Sequence, residues 1–287
     1  MVWIERFITA EDGTRLFCRE AGEGTPPLLL IHGAACDSEF FLSLGARIWS
    51  RCRVILYDRR GYGRSDNSVT GAHDSTAHFS RLASDAACVL RQMGAEKASV
   101  LGCSYGALIT LYLAHQYPEL VGRALLHEPP AYSMMPDDGE GWEKIGGILR
   151  CIEQRKYVRA LNRFLLFLAS ASAPDERPMT EAEEENFMRN GLYFIEHEFA
   201  FGFDRSLAVP LLSGQTGPAF LRGANGAGTP LWECAKRLAE RQKCAVYDFP
   251  GGHNGARERP DEFGDALCGL LEHTVSPGRE QDGADGP

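Results

Sequence analysis

Apolar positions along this chain follow two different periods. Near the start, VWIERFI and TRLFCRE alternate apolar and polar residues on either side of Asp12-Gly13. That dipeptide tolerates positive φ, so the stretch predicts a hairpin at the antiparallel edge of a sheet. Beyond it come short, fully apolar runs: PLLLI (27–31), RVILY (53–57), ASVLG (98–102) and RALLH (123–127). Helical periodicity fills the gaps over Ser38–Ser50, Ser75–Gln92 and Tyr105–Gln116, the last ending just ahead of Pro118. Continuous apolar strands alternating with helices predict an α/β fold with a mostly parallel central sheet covered on both faces.

From about residue 133 to 212 the strand signal vanishes. Helical segments near 140–153, 155–170 and 180–203 replace it and predict a helical cap inserted into the core domain. Thr180 followed by Glu183 forms a capping box for the third segment, and the acidic run Glu181 to Glu185 suits a helix N-terminus. Strands resume at PAFLR (218–222) and CAVYDF (244–249), and a helix over Pro260–His273 closes the fold. The expected division is a core domain from 1–132 and 213–273, a helical cap over 133–212, and a flexible polar tail over 274–287, rich in Gly and Pro.

Composition narrows the function classes. With 287 residues, 44% of them hydrophobic, the chain can bury one substantial core. Its formal net charge of -9 argues against nucleic acid as a partner, because that affinity rests on many Lys and Arg contacts to phosphate. No run of apolar residues is long enough to span a bilayer, and Glu5 and Arg6 interrupt the start where a signal peptide needs its apolar segment. The nine cysteines show no CxxC pair and no zinc-ligand spacing, which reads as reduced thiols in a cytoplasm. His73-Asp74 with His78 lacks a third ligand, so neither a metal nor a cofactor is expected. The expected partner is a small molecule, and the oligomeric state stays open, a homodimer included.

The chemistry concentrates in three loops. Gly102-Cys103-Ser104-Tyr105-Gly106 matches G-x-S-x-G between the strand ASVL and the helix ALITLYLAHQ, the setting of a nucleophile elbow that presents Ser104 at the sheet's carboxyl edge. Small residues in His32-Gly33-Ala34-Ala35 let backbone N–H groups face that loop. The N–H of Gly33 or Ala34, with that of Tyr105, could form an oxyanion hole. His32 reads as a residue that holds its loop by hydrogen bonding. His253, in the loop FPGGHN after the last strand, is placed to act as a base toward the serine. His73, His78, His115, His197 and His273 read as surface residues.

At this point the chain resembles an α/β-hydrolase with a helical cap from about Phe7 to His273. The segment YDRRGYGRSD (57–66) is similar to a glycine-rich loop common in that family. Its Asp58, Arg59 and Arg60 read as structural, with an anion-binding Arg cluster as the alternative. In most members the acid that orients the histidine follows the strand equivalent to PAFLR, but FLRGANGAGTP (220–230) holds no carboxylate. Between Arg205 and Tyr247 the only acids are Glu233 and Glu240, both in a predicted helix, and Asp248 lies within a strand. Glu128, ending RALLH ahead of Pro129-Pro130, is the remaining candidate. Alternation along a strand turns it to the face opposite His127, which reads as a core histidine. A buried Glu without a partner is costly, and a bond to His253 would satisfy it.

GCSYGA followed by LLHEPP resembles the zearalenone-type lactonases, serine hydrolases of this fold whose acid is a Glu after that same strand. The resemblance implies a Ser104, Glu128 and His253 triad cleaving an ester or lactone. Hydrolysis of a C–C bond in a diketone, or a ligand-binding or cyclase-like protein without useful hydrolysis, are the alternatives. Met134, Met135, Trp142, Phe164, Phe167, Tyr193, Phe194, Phe199 and Phe203 are expected mainly to pack the cap, with a few lining an apolar pocket.

Overall fold

The computed structural model describes residues 1–136, 140–175, 177–212 and 218–272. The expected tail, 274–287, and His273 lie outside the described residues. Eight strands form one sheet: β1 (Ile4–Thr9), β2 (Arg15–Ala21), β3 (Leu28–Ile31), β4 (Val54–Tyr57), β5 (Ala98–Cys103), β6 (Val121–His127), β7 (Ala219–Gly223) and β8 (Val246–Phe249). Their order across the sheet is β1-β2-β4-β3-β5-β6-β7-β8. The pairings of β1 with β2 and of β2 with β4 are antiparallel, and those among β3 to β8 are parallel. The hairpin predicted at Asp12-Gly13 is the β1–β2 connection, with Gly13 at φ 87°.

The helices are α1 (Leu42–Ile48), α2 (Ser75–Gln92), α3 (Tyr105–Gln116), α4 (Glu140–Glu153), α5 (Tyr157–Ala171), α6 (Glu181–His197), α7 (Phe199–Gly202), α8 (Pro230–Gln242), α9 (Gly255–Glu258) and α10 (Pro260–Glu272). Period-2 alternation in the buried strands divides the apolar side chains between two layers. Leu29, Ile31, Ile55, Val100 and Phe220 face a core shared with α2, α3 and α8. Leu28, Leu30, Val54, Leu101 and Leu221 face the opposite layer, closed by α1 and α10. The burial of both faces is why these strands read as unbroken apolar runs.

Helices α4 to α7 lie between β6 and β7, where the sequence loses its strand signal. The capping box of α6 forms as predicted, Thr180 accepting from the Glu183 N–H while the Glu183 carboxylate accepts from the Thr180 N–H. Their apolar faces meet through aromatic rings, with Phe199 and Phe203 stacked at 4.5 Å and Phe164 and Phe194 tilted against each other at 5.1 Å. The predicted helix over 180–203 is broken at Glu198. That residue is buried and turns its carboxylate toward the sheet, where Arg59 and Tyr62 engage it. His78 also departs from expectation: it is buried, hydrogen-bonded to the Tyr105 hydroxyl at 2.8 Å and Thr70 Oγ1 at 2.9 Å, and stacked on Phe201. Its surface reading fails because the inserted helices cover that face of α2.

Candidate active site

Ser104 stands between β5 and α3 with φ 55° and ψ -121°, a conformation that a side chain adopts only when its surroundings enforce it. The enforcement is visible in the flanking glycines. A Cβ at Gly102 would lie 2.2 Å from the Gly106 carbonyl oxygen, and one at Gly106 would lie 2.2 Å from that of Ile31. Only glycine fits either place, so β5 and α3 can approach closely enough to make the turn. The Ser104 N–H is taken by the His127 carbonyl at 2.8 Å. The Tyr105 N–H, at the start of α3, has no hydrogen-bond partner among the described residues, and neither has that of Ala34.

The loop after β3 runs directly alongside: a Cβ at Gly33 would be 3.1 Å from Ser104 Cβ and 3.7 Å from its Oγ. His32 is fully buried and holds this loop. One ring nitrogen, Nδ1, bonds the Gly33 carbonyl at 3.0 Å, and Nε2 accepts from the Arg59 N–H at 3.1 Å. Both bonds together require the neutral tautomer with the proton on Nδ1. Burial, with the nearby Arg59 charge, depresses the His32 pKa well below the usual range, consistent with that state.

Glu128 follows β6 with φ 44° and is buried. Its Oε2 lies 2.7 Å from His253 Nδ1, and its Oε1 accepts from the Gly223 N–H at 2.8 Å. Burial by itself raises a carboxyl pKa, but here the bond from His253, the neighbouring imidazoles of His253 and His127 and the Gly223 N–H outweigh it and hold Glu128 below its ordinary range. An ionised carboxylate only accepts, so His253 Nδ1 carries the proton and Nε2 keeps its lone pair. The last residue of β7 thus supplies a backbone donor just ahead of the loop where the α/β-hydrolase pattern has an acid. A Cβ at Gly226 would stand 3.2 Å from Glu128 Oε1, so a side chain there would crowd the carboxylate already present. Asp248 is exposed and paired with Arg222.

His127 is buried, packs edge-on against Phe263 at 5.5 Å, and has its ring 6.4 Å from that of His253. Neither of its ring nitrogens has a hydrogen-bond partner among the described residues.

Ser104 and His253 line one cavity of about 630 Å³. Gly33, Ala34 and Cys103 line it beside Ser104, and Phe164, Leu165, Leu168, Phe187 and Met188 of α5 and α6 add apolar lining. Of the aromatic and methionine residues singled out in the sequence, Phe164 reaches this cavity. Leu165, Leu168, Phe187 and Met188 escaped the sequence reading, although Leu165 and Leu168 stand three apart on one helix face. Asp175 and Glu184 also line it, and no Lys or Arg does so among the described residues. Asp175 binds Asn254, the residue after His253, at 2.7 Å, tying the segment between α5 and α6 to the histidine loop.

The sheet order, the strained serine turn and the late histidine loop together define the α/β-hydrolase fold. A family described as alpha/beta hydrolase fold matches the chain over residues 26–150. An uncharacterized hydrolase of Bacillus subtilis is 27% identical over 271 residues, covering 91% of this chain and 93% of that protein. A 2-hydroxy-6-oxononadienedioate/2-hydroxy-6-oxononatrienedioate hydrolase of Cupriavidus pinatubonensis is 27% identical over 172 residues, covering 56% of this chain and 57% of that protein. Among solved structures, ALR0039 from Nostoc sp PCC 7120 superposes with a TM-score of 0.74 at 17% identity, covering 94% of this chain and 98% of that one.

Proposed function

We propose that this protein is a serine hydrolase that cleaves a carboxylic ester or lactone of a small apolar substrate through an acyl-enzyme. In this reading Ser104 Oγ attacks the carbonyl carbon while His253 Nε2 takes its proton. The Glu128 carboxylate keeps Nδ1 protonated and stabilises the imidazolium as it forms. Charge developing on the carbonyl oxygen falls to the N–H groups of Ala34 and Tyr105. The imidazolium then returns the proton to the departing alkoxide, and water, activated by the same nitrogen, releases the acid. The observation that carries the reading is the 2.7 Å contact between Glu128 and His253 in a cavity that His253 shares with Ser104.

Residues 133–212 act as a cap in this proposal, with α5 and α6 shaping the acyl or alcohol pocket. The Glu after β6 also supports the likeness to lactonases of the zearalenone type. None of the nine cysteines is in a disulfide, in keeping with a reducing compartment such as the cytoplasm.

A second reading, C–C bond hydrolysis, draws on the relative from Cupriavidus pinatubonensis, whose name denotes dianionic substrates. Of the two acids lining the cavity, Asp175 is paired with Arg257, and Glu184, with no Lys or Arg in the lining among the described residues, favours neutral substrates instead. A panel of esters, lactones and diketones against wild type and Ser104→Ala, with products identified, separates the two. Labelling of Ser104 by a fluorophosphonate is expected, and an unlabelled protein would point to a non-hydrolytic binder.

A further inference from the structure

Arg59 connects the inserted helices to the backbone beside Ser104. Its side chain is 1% exposed, and that of its partner Glu198, between α6 and α7, is 2% exposed. Arg59 Nη1 lies 2.8 Å and 3.0 Å from the two Glu198 oxygens, and the Tyr62 hydroxyl donates to the same carboxylate at 2.6 Å. The second arm of the guanidinium reaches the other way, Nη2 donating to the Gly33 carbonyl at 3.2 Å.

That last bond has a geometric consequence. Across a trans peptide the carbonyl and the following N–H point in opposite directions. With the Gly33 oxygen held by Arg59 and His32, the Ala34 N–H is turned away from both of them, and Ala34 lines the cavity with Ser104. Orientation therefore selects Ala34 over Gly33 as the oxyanion donor from this loop. The other donor is tethered to the same anchor: the Tyr105 hydroxyl donates to the Glu198 carbonyl at 3.2 Å, and the Arg59 guanidinium carbon sits 5.2 Å from the Tyr105 ring centroid.

A buried ion pair of this kind contributes little net stability compared with an apolar pair of similar shape. Its fork geometry does what an apolar pair could not, since one guanidinium binds a carboxylate and a backbone oxygen together. We propose that Arg59 is a positioning residue for the oxyanion hole, held in place by Glu198, so that seating of the inserted helices sets the transition-state contacts of Ser104. The inference rests on the serine hydrolase reading above.

The test uses the full-length protein and whichever ester of the panel turns over fastest. Arg59→Met, Arg59→Lys and the double variant Arg59→Met/Glu198→Gln are compared for kcat, KM, melting temperature and affinity for a trifluoromethyl ketone. That ketone adds to the serine and leaves an oxyanion in the hole. In Arg59→Met, kcat and ketone affinity should fall together by about 100-fold, the scale of losing one oxyanion donor, with KM within about twofold. Arg59→Lys should recover part of both, since one ammonium reaches a single partner. The double variant leaves no unpaired buried charge and keeps the test valid if Arg59→Met does not fold. A folded double variant with wild-type kcat and ketone affinity, or a loss confined to KM, overturns the proposal. Ser104→Ala in the same assay isolates the underlying reading: turnover surviving in that variant refutes the serine mechanism itself, whatever Arg59 does.

Discussion

The loops after β6 and β7 lie side by side at the carboxyl edge of the sheet, and they divide one task between them. The first carries a carboxylate on a residue with positive φ; the second carries no acid, and Gly223, the strand residue that leads into it, gives its N–H to that carboxylate. The usual arrangement in the α/β-hydrolases that the chain resembles puts the acid on the second loop. A histidine needs one negative partner in hydrogen-bond reach, and either loop can supply it. What cannot be shared is the space, because a side chain at Gly226 would press on the Glu128 oxygen.

The comparison breaks most sharply at the acid itself. Glu128→Gln keeps the shape but loses the charge that fixes the His253 tautomer, and kcat should fall by up to about ten-thousandfold, measured on the best ester of the panel. Near-normal turnover would mean that the first loop is not the acid's home. Moving the acid sharpens the point: adding Gly226→Asp to Glu128→Ala should regain at least about tenfold of the lost rate, because the two sites serve one ring and act non-additively. Gly226→Asp alone, with Glu128 intact, should lower activity by setting two carboxylates against each other.

The smaller effects concern the neighbours. His127, one residue before Glu128, is buried without a hydrogen-bond partner among the described residues, and burial pushes its pKa down to about 4 although Glu128 opposes the shift. The folded value lies below the unfolded one of about 6.5, so its contribution is complete above that pH and is lost as pH falls toward 4. His127→Leu should therefore gain about 2 kcal/mol at pH 5 relative to its effect at pH 8, read from urea midpoints. Asp248→Ala, on the strand beyond the acid-free loop, removes an exposed ion pair with Arg222 and should change stability by less than about 1 kcal/mol, with kcat unchanged. A larger loss of kcat there would bring the second loop back into the proton relay.

Much of the architecture was legible because it is locally encoded. Fully apolar runs marked β3 to β6, the strand–serine–helix context marked the tight turn at Ser104, and elimination of other acids pointed to Glu128, whose carboxylate meets His253. The break at Glu198 was not legible, since its cause is an arginine 139 positions away. His78 misled for the same reason: a histidine in a helix reads as surface until another element covers it. Cavity walls such as Leu168 and Met188 depend on how α5 and α6 lean over the sheet, and periodicity gives a face without saying what it meets.

The acidic lining bears on how a turnover ends. Under the proposed reaction, cleavage converts a neutral guest into an anion, and Asp175 and Glu184 line the same cavity as His253. In that reading, repulsion from Glu184, the acid of the two that is not paired with Arg257, would loosen the carboxylate as soon as it is made, so that the spent molecule leaves the chamber to the next neutral one.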